Sequence, residues 1–420
     1  MKMADIISKE SPFTPGRPVP VEFFVARHKE IERLERAIRQ TATGRNENVF
    51  ITGHRGIGKS SLAMFIRCLA EKEYSLIGSH CFLGGVRSLE AMMGMIFQSL
   101  LQDCTDKSLF DKFRESFGDY IKGLTLFGLG VEFTKDKDKL RTLVDNFLPV
   151  LRKIYDEVKE NSKKGLILIL DDLNGISDVP QFSQFLKSFV DTLATSGKPL
   201  PLLLVLVGLP ERRNDLVKHQ PSVARIFDVV DLPTMSNSES EEFFTHMFGR
   251  STITVTSEAL PMMVELSGGY PMLMHEVGDA VFWQDSDGQI DLSDAKQGIT
   301  EAARNVGRKY IGAQVSNVLR NKTYSSILLR MGKKLPIGAT FKRQELLKQK
   351  ASEKECKNLD NFLNKTKKLG IMKDADVRGE YTFVNPLYHL YIWYEAKNRI
   401  SSSRSSNSSS KTQKTEPTSQ

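Results

Sequence analysis

Two patterns of apolar and polar residues alternate along the first half of the chain. Leu166–Leu170 (LILIL) and Leu202–Val207 (LLLVLV) are apolar at every position, as strands covered on both faces must be. Val49–Thr52 and Leu76–Leu83 read as further strands. Apolar residues at helical spacing predict helices over Lys29–Gln40, Ser60–Glu71 and Leu89–Gln102, and a long amphipathic one over Leu140–Lys159. Strands alternating with helices of this length predict an α/β fold, a parallel sheet between layers of helix. Between Phe110 and Thr134 the pattern breaks into glycines and aromatics, which reads as an insertion or hairpin.

The second half reads differently. From Ser236 to about Ala303 the spacing is helical throughout, with capping signals at Ser236–Glu239 and Ser257–Glu258. A third block, about 320–396, predicts helices over Ser325–Met331, Lys342–Lys350 and Glu353–Leu369. Two strands about an Arg378-Gly379 turn follow, within Gly370–Tyr394. The chain thus divides into a Pro-rich extended arm (1–22), an α/β core (23–234), a helical domain (235–305), a helix-and-hairpin domain (320–396) and a Ser-rich tail (400–420). That tail is too polar to bury a core and is expected to be disordered.

Composition changes this picture in two places. With 420 residues, 40% hydrophobic and 26% charged, the chain has the make-up of a soluble protein of two or three domains. The opening residues lack the apolar stretch of a signal peptide, and no apolar run approaches membrane-spanning length. Four scattered cysteines without a C-x-x-C pair argue against a zinc site or a disulfide framework and fit a reducing cytoplasm. No membrane partner is expected. The net charge of +8 is uneven, however. Residues 301–420 hold 24 Lys and Arg against 10 Asp and Glu, or +14, and the rest of the chain carries −6. A basic end on a mildly acidic body points either to a polyanion partner met at that end or to a solvated lysine-rich surface.

The strongest chemical signal is Gly53-His54-Arg55-Gly56-Ile57-Gly58-Lys59-Ser60, which fits G-x-x-x-x-G-K-[ST] and lies between a predicted strand and a predicted helix. The glycines let successive backbone N–H groups curl round phosphates, and the helix, opening through Lys59, Ser60 and Ser61, adds its positive end. Lys59 is expected to reach the β- and γ-phosphates of ATP, and the Ser60 hydroxyl to ligate Mg2+. A second element stands at the tip of LILIL: Asp171 is the candidate to hold Mg2+ through water, and Asp172 to orient the attacking water. Both also suit a plain loop cap, since strand ends often carry Asp.

These motifs in this order resemble the AAA+ and STAND branch of P-loop ATPases, especially its origin-recognition-like members, over roughly Pro12 to Trp393. The resemblance implies a three-layer P-loop NTPase core, a helical lid and a C-terminal winged helix. It implies that the box Phe24-Val25-Ala26-Arg27-His28-Lys29-Glu30, with Ala26 where the family has glycine, wraps the adenine through Phe24, Val25 and Arg27. Arg225, in Ser222–Phe227, takes the place of an arginine finger or a surface ion-pair residue, with Arg212 and Arg213 as weaker alternatives. Gly268-Gly269-Tyr270-Pro271 resembles the lid G-x-P motif, in which Pro271 meets the base; the same turn also suits a glycine cap followed by a helix opened by proline. Three departures imply slow or partner-stimulated hydrolysis: Val207-Gly208 where a polar sensor is usual, Asp-Asp in place of Asp-Glu, and no sensor arginine in Met272–His275.

The helix expected over Glu353–Leu369 carries Lys354, Lys357, Asn361, Asn364, Lys365 and Lys368 on one stripe, with Leu359, Phe362, Leu363 and Thr366 opposite. Such a stripe suits phosphates and base edges of double-stranded DNA, and equally a docking face for protein. The sequence therefore reads as an ATPase that couples ATP or ADP to DNA binding, as a nucleotide-controlled assembly scaffold with a protein partner, or as a nucleotide binder that barely hydrolyses, and it leaves a homo-oligomer open.

Overall fold

The computed structural model describes residues 10–103, 147–156, 162–198, 200–311, 315, 318, 320–333, 337–347, 351–375, 377–384 and 386–409. The chain forms two compact units: Pro18–Pro233, and Thr234–Gln420 together with Met1–Arg17.

The first unit contains helix α1 (His28–Ala42), strand β1 (Glu47–Thr52), α2 (Lys59–Glu73), β2 (Leu76–Phe82), α3 (Leu89–Asp103), β3 (Gly165–Asp171), α4 (Pro180–Thr195), β4 (Leu202–Gly208), α5 (Pro210–His219) and β5 (Asp228–Asp231). The strands form one sheet in the order β2-β3-β4-β1-β5, and every pairing is parallel. β3 and β4 are buried at all positions, the burial their unbroken apolar runs require. Helix α4 turns Phe182, Phe185, Leu186, Phe189 and Leu193 inward, and Phe147, on the helical stretch 147–156, meets Phe185 edge-on at 5.7 Å. Each such side chain contributes roughly 1.5–3 kcal/mol on burial. Residues 140–146 and 157–159 of the predicted long helix, and the irregular stretch 110–134, lie outside the described residues.

In the second unit, α6 (Asn237–Gly249), α7 (Ala259–Ser267), α8 (Pro271–Phe282) and α9 (Leu292–Val306) form a helical body, with β6 (Thr254–Val255) and β7 (Gln289–Ile290) paired between them as a two-stranded parallel sheet. The Ser236–Glu239 capping box is formed. Ser257–Glu258 does not cap: the start of α7 is tied by Thr256, whose Oγ1 accepts from the Ala259 N–H. The second box closes α9 instead, between Asp291 and Asp294. The arm is not merely extended: Phe13 is buried against Phe243 and Phe248, and Val21–Phe23 is a 3-10 turn.

Further along the chain come a π-helical turn Gly307–Ile311, α10 (Lys322–Gly332), β8 (Phe341–Lys342), a 3-10 turn Arg343–Leu346, α11 (Glu353–Lys368), β9 (Met372–Asp374), β10 (Glu380–Phe383) and α12 (Pro386–Ser409). β8, β10 and β9 form an antiparallel sheet in that order. The helix expected over Lys342–Lys350 is replaced by a strand and a 3-10 turn, because Phe341 is drawn into the sheet beside Tyr381; residues 348–350 lie outside the description. The tail also differs from expectation, since α12 runs to Ser409. Packing of Leu387, Leu390 and Ile392 nucleates that helix, and each further residue then adds a hydrogen bond at little cost. Among the described residues no helix is long and apolar enough to cross a membrane.

Candidate functional site

The phosphate loop leaves the buried end of β1 and returns as α2. Gly53, Gly56 and Gly58 take φ of 148°, 79° and 96°, values that side-chain-bearing residues rarely adopt. At Gly53 a Cβ would also stand 3.0 Å from the Leu232 carbonyl oxygen. Gly58 is the N-cap of α2 and offers no side-chain cap, so N–H groups of the first turn are available to an anion. Lys59 Nζ donates to the Gly53 and His54 carbonyls, each at 2.9 Å. Burial pushes its pKa down to about 8, against the opposing pull of Asp171, Asp172 and Glu211.

The paired carboxylates sit at the end of β3, separated from β1 in the sheet by β4. Asp171 is buried; its Oδ1 accepts from the Asp172 N–H at 2.7 Å and its Oδ2 faces His80 Nε2 at 3.1 Å. Asp172 adopts φ 57°, a left-handed conformation uncommon for a residue other than glycine. Its Oδ1 accepts from the Asn174 amide, and its Oδ2 lies so close to Gly84 that a Cβ there would stand 2.7 Å away. The charges of Asp171 and Asp172 both act on Lys59.

The other sequence-derived residues have varied positions. Ser60 is half-buried in the first turn of α2, and His54 and Arg55 are exposed. Ile57 is buried in the loop, while Ser61 spends its hydroxyl on the arm, accepting from the Val19 N–H at 3.1 Å. Phe24 stacks on Phe65 of α2 at 4.8 Å, and Val25 is half-buried beside it. Arg27 is 2% exposed and clamps backbone, with Nη1 on the Pro233 carbonyl at 2.6 Å and Nη2 on the Ile57 carbonyl at 3.2 Å. Its guanidinium thus supports the phosphate loop from behind. Arg225 is exposed on the short helix Val223–Ile226, and Arg212 is paired with Asp178 and Asp215.

In the second unit Pro271 is buried at the first turn of α8, after Gly268 and Gly269 at φ 59° and 69°. The Gly269 carbonyl accepts from the Met235 N–H at 2.8 Å. On α11, Lys354, Lys357, Asn361, Asn364, Lys365 and Lys368 are all exposed, while Leu359, Phe362, Leu363 and Thr366 are buried. Lys357 also pairs with Glu353 at 3.1 Å.

His80, Asn174 and Glu211 were not singled out from sequence. His80 alone carried a signal there, an imidazole inside a strand of otherwise small and apolar residues, Leu76–Phe82. Among the described residues no group of three or more His, Cys, Asp or Glu side chains is gathered to hold a metal ion.

Residues 24–206 match the family model described as an AAA ATPase domain. A curated relative, an uncharacterised HTH-type transcriptional regulator of Methanocaldococcus jannaschii, is 24% identical over 280 residues, 63% of this chain and 64% of the relative's own length. A Walker-type ATPase of Pyrococcus abyssi shares the fold with a TM-score of 0.50 and 17% identity, over 88% of this chain and 96% of that one. The ORC2 protein of Aeropyrum pernix, in ADPNP–ADP complexes, gives 0.52 and 13%, over 94% and 98%.

Proposed function

We propose that this chain, which carries an AAA ATPase domain over residues 24–206, binds ATP, hydrolyses it slowly and couples its nucleotide state to double-stranded DNA. The observation that carries the reading is Lys59 lying over a three-glycine loop within the field of Asp171 and Asp172. An ammonium, unbonded helix N–H groups and nearby carboxylates are what phosphoryl transfer requires. Mg2+ fits the donor set: the Ser60 hydroxyl and the Asp171 carboxylate are hard oxygen donors, few enough to leave positions for phosphate and water. Bound there, it would neutralise charge on the transferred phosphoryl group. Slow turnover is supported by the end of β4, which offers only Val207 and Gly208, and by the short Asp172 carboxylate, already engaged by Asn174.

The DNA reading rests on the exposed Lys and Asn face of α11 and on the order of elements around it. Helix, short strand, 3-10 turn, helix and two-stranded hairpin over 320–396 together suit a winged helix with α11 as the reading helix. The HTH-type name of the Methanocaldococcus jannaschii relative agrees with it. A second reading, that this block docks protein, draws support from Val377 and Val384, both exposed on the hairpin.

ATP turnover by the full chain, with and without duplex at low salt, tests the proposal. Lys59→Ala should abolish it. Replacing Lys354, Lys357, Lys365 and Lys368 together by Ala should weaken duplex binding and flatten its salt dependence by about one unit of slope per lost phosphate contact. No duplex binding at low salt, with ATP-driven oligomers indifferent to DNA, would transfer the assignment to the scaffold. An unstimulated rate on the order of tens per second would refute slow turnover.

A further inference from the structure

A buried imidazole stands behind the carboxylate assigned to Mg2+. His80 lies on β2, where the parallel register sets it beside Ile169 and sets Phe82 beside Asp171. The His80 and Asp171 side chains are each 4% exposed, and His80 Nε2 lies 3.1 Å from Asp171 Oδ2. In the tautomer that places its hydrogen on Nε2, the ring donates to the carboxylate. The ring is itself held by Phe82, stacked on it at 4.5 Å and 22°. With Oδ1 taken by the Asp172 N–H at 2.7 Å, both oxygens of Asp171 are fixed in direction, and each keeps lone-pair capacity for a further contact. The pair is not needed to join the strands, because β2 and β3 are already paired from Leu76–Gly165 to Phe82–Asp171. The contact also gives a hydrogen-bond partner to a carboxylate and an imidazole that are nearly closed to solvent. What the imidazole adds, beside the backbone Asp172 N–H on Oδ1, is a side-chain anchor on Oδ2 that fixes the last torsion of Asp171 from its other oxygen.

We infer that His80 is a positioning residue that aims the Asp171 carboxylate at the Mg2+ accompanying the nucleotide. His80 thereby sets how strongly Mg2+ tightens nucleotide binding, and Phe82 keeps the ring plane in place for that purpose. The inference rests on the nucleotide reading given above. Partners one step behind a metal-side carboxylate commonly change metal affinity about 10–100-fold when removed.

A fluorescent ADP analogue titrated onto the full chain, in Mg2+ and in EDTA, tests it. The measured quantity is the ratio of the two affinities. His80→Ala should lower that ratio about ten-fold or more while leaving the EDTA affinity within about two-fold of wild type. His80→Gln, whose amide nitrogen reaches as far as Nε2, should keep the wild-type ratio. His80→Asn, one bond shorter, should behave as the alanine variant does. If the alanine variant does not fold, the Gln and Asn pair decides, since they differ in reach and share their chemistry. A wild-type ratio in His80→Asn overturns the inference, as does an equal loss of affinity with and without Mg2+, which marks a merely structural role. Wild-type protein that binds no analogue in either condition overturns the nucleotide reading itself, and this inference with it.

Discussion

His275 shows at the residue scale how burial turns an ordinary side chain into a condition on pH. Its Nδ1 accepts from the Thr14 N–H at 3.2 Å, and its ring meets Phe243 edge-on at 5.0 Å. Burial pushes its pKa from 6.5 down to about 4. The folded state thus refuses a proton that the unfolded chain accepts, so the stabilisation is whole above pH 6.5 and is lost as pH falls from there towards 4. The loss approaches about 3 kcal/mol. Urea midpoints measured across that window should fall for the wild type. They should stay flatter for His275→Asn, whose carbonyl oxygen replaces Nδ1; equal slopes would remove His275 as the cause. At this scale the phosphate loop was fully legible, because G-x-x-x-x-G-K-S needs only local backbone geometry. The roles of Arg27 and Ser61 were not, because their partners Pro233, Ile57 and Val19 are distant in sequence or masked by backbone.

Elements that looked independent in sequence are tied by single close approaches. Gly278 lies in the middle of α8, where glycine costs about 1 kcal/mol relative to alanine. The reason is Phe13: a Cβ at Gly278 would stand 2.2 Å from its ring. Gly278→Ala should therefore raise helix propensity yet evict the arm, lowering stability and opening the segment around Phe13 to limited proteolysis. A more stable variant with an uncut arm would refute this. Phe13→Ala should produce the same cleavage and cost about 3 kcal/mol. The boundaries of β1, α2, β2, β3 and β4 fell within about two residues of expectation; for β3 and β4 the reason is that complete burial writes itself into unbroken apolar runs. The strand-like turn at Phe341–Leu346 and the extension of α12 did not follow local pattern; pairing with β10 and propagation from a packed first turn decided them.

For the whole molecule, the two units each bury their own apolar residues, and the phosphate loop belongs to Pro18–Pro233. Nucleotide should therefore act first on the stability of that unit. In scanning calorimetry, ADP with Mg2+ at about a hundred times its dissociation constant should add about 2.7 kcal/mol to the transition that contains the α/β core. Lys59→Ala should cancel the increment. An equal increment in that variant would place the nucleotide elsewhere.

The sequence by itself determined the α/β class, the glycine loop with Lys59 and Ser60, and the basic face of α11, because each is a local pattern whose physics acts over a few residues. The tertiary structure decided what those patterns face. It placed β4 between β1 and β3, set Lys59 in the electrostatic field of Asp171 and Asp172, set His80 against Asp171 and turned the Arg27 guanidinium onto the Ile57 carbonyl of the loop. Those choices depend on strand order and parallel register, which arise from many simultaneous burials and leave no mark in any one stretch of chain.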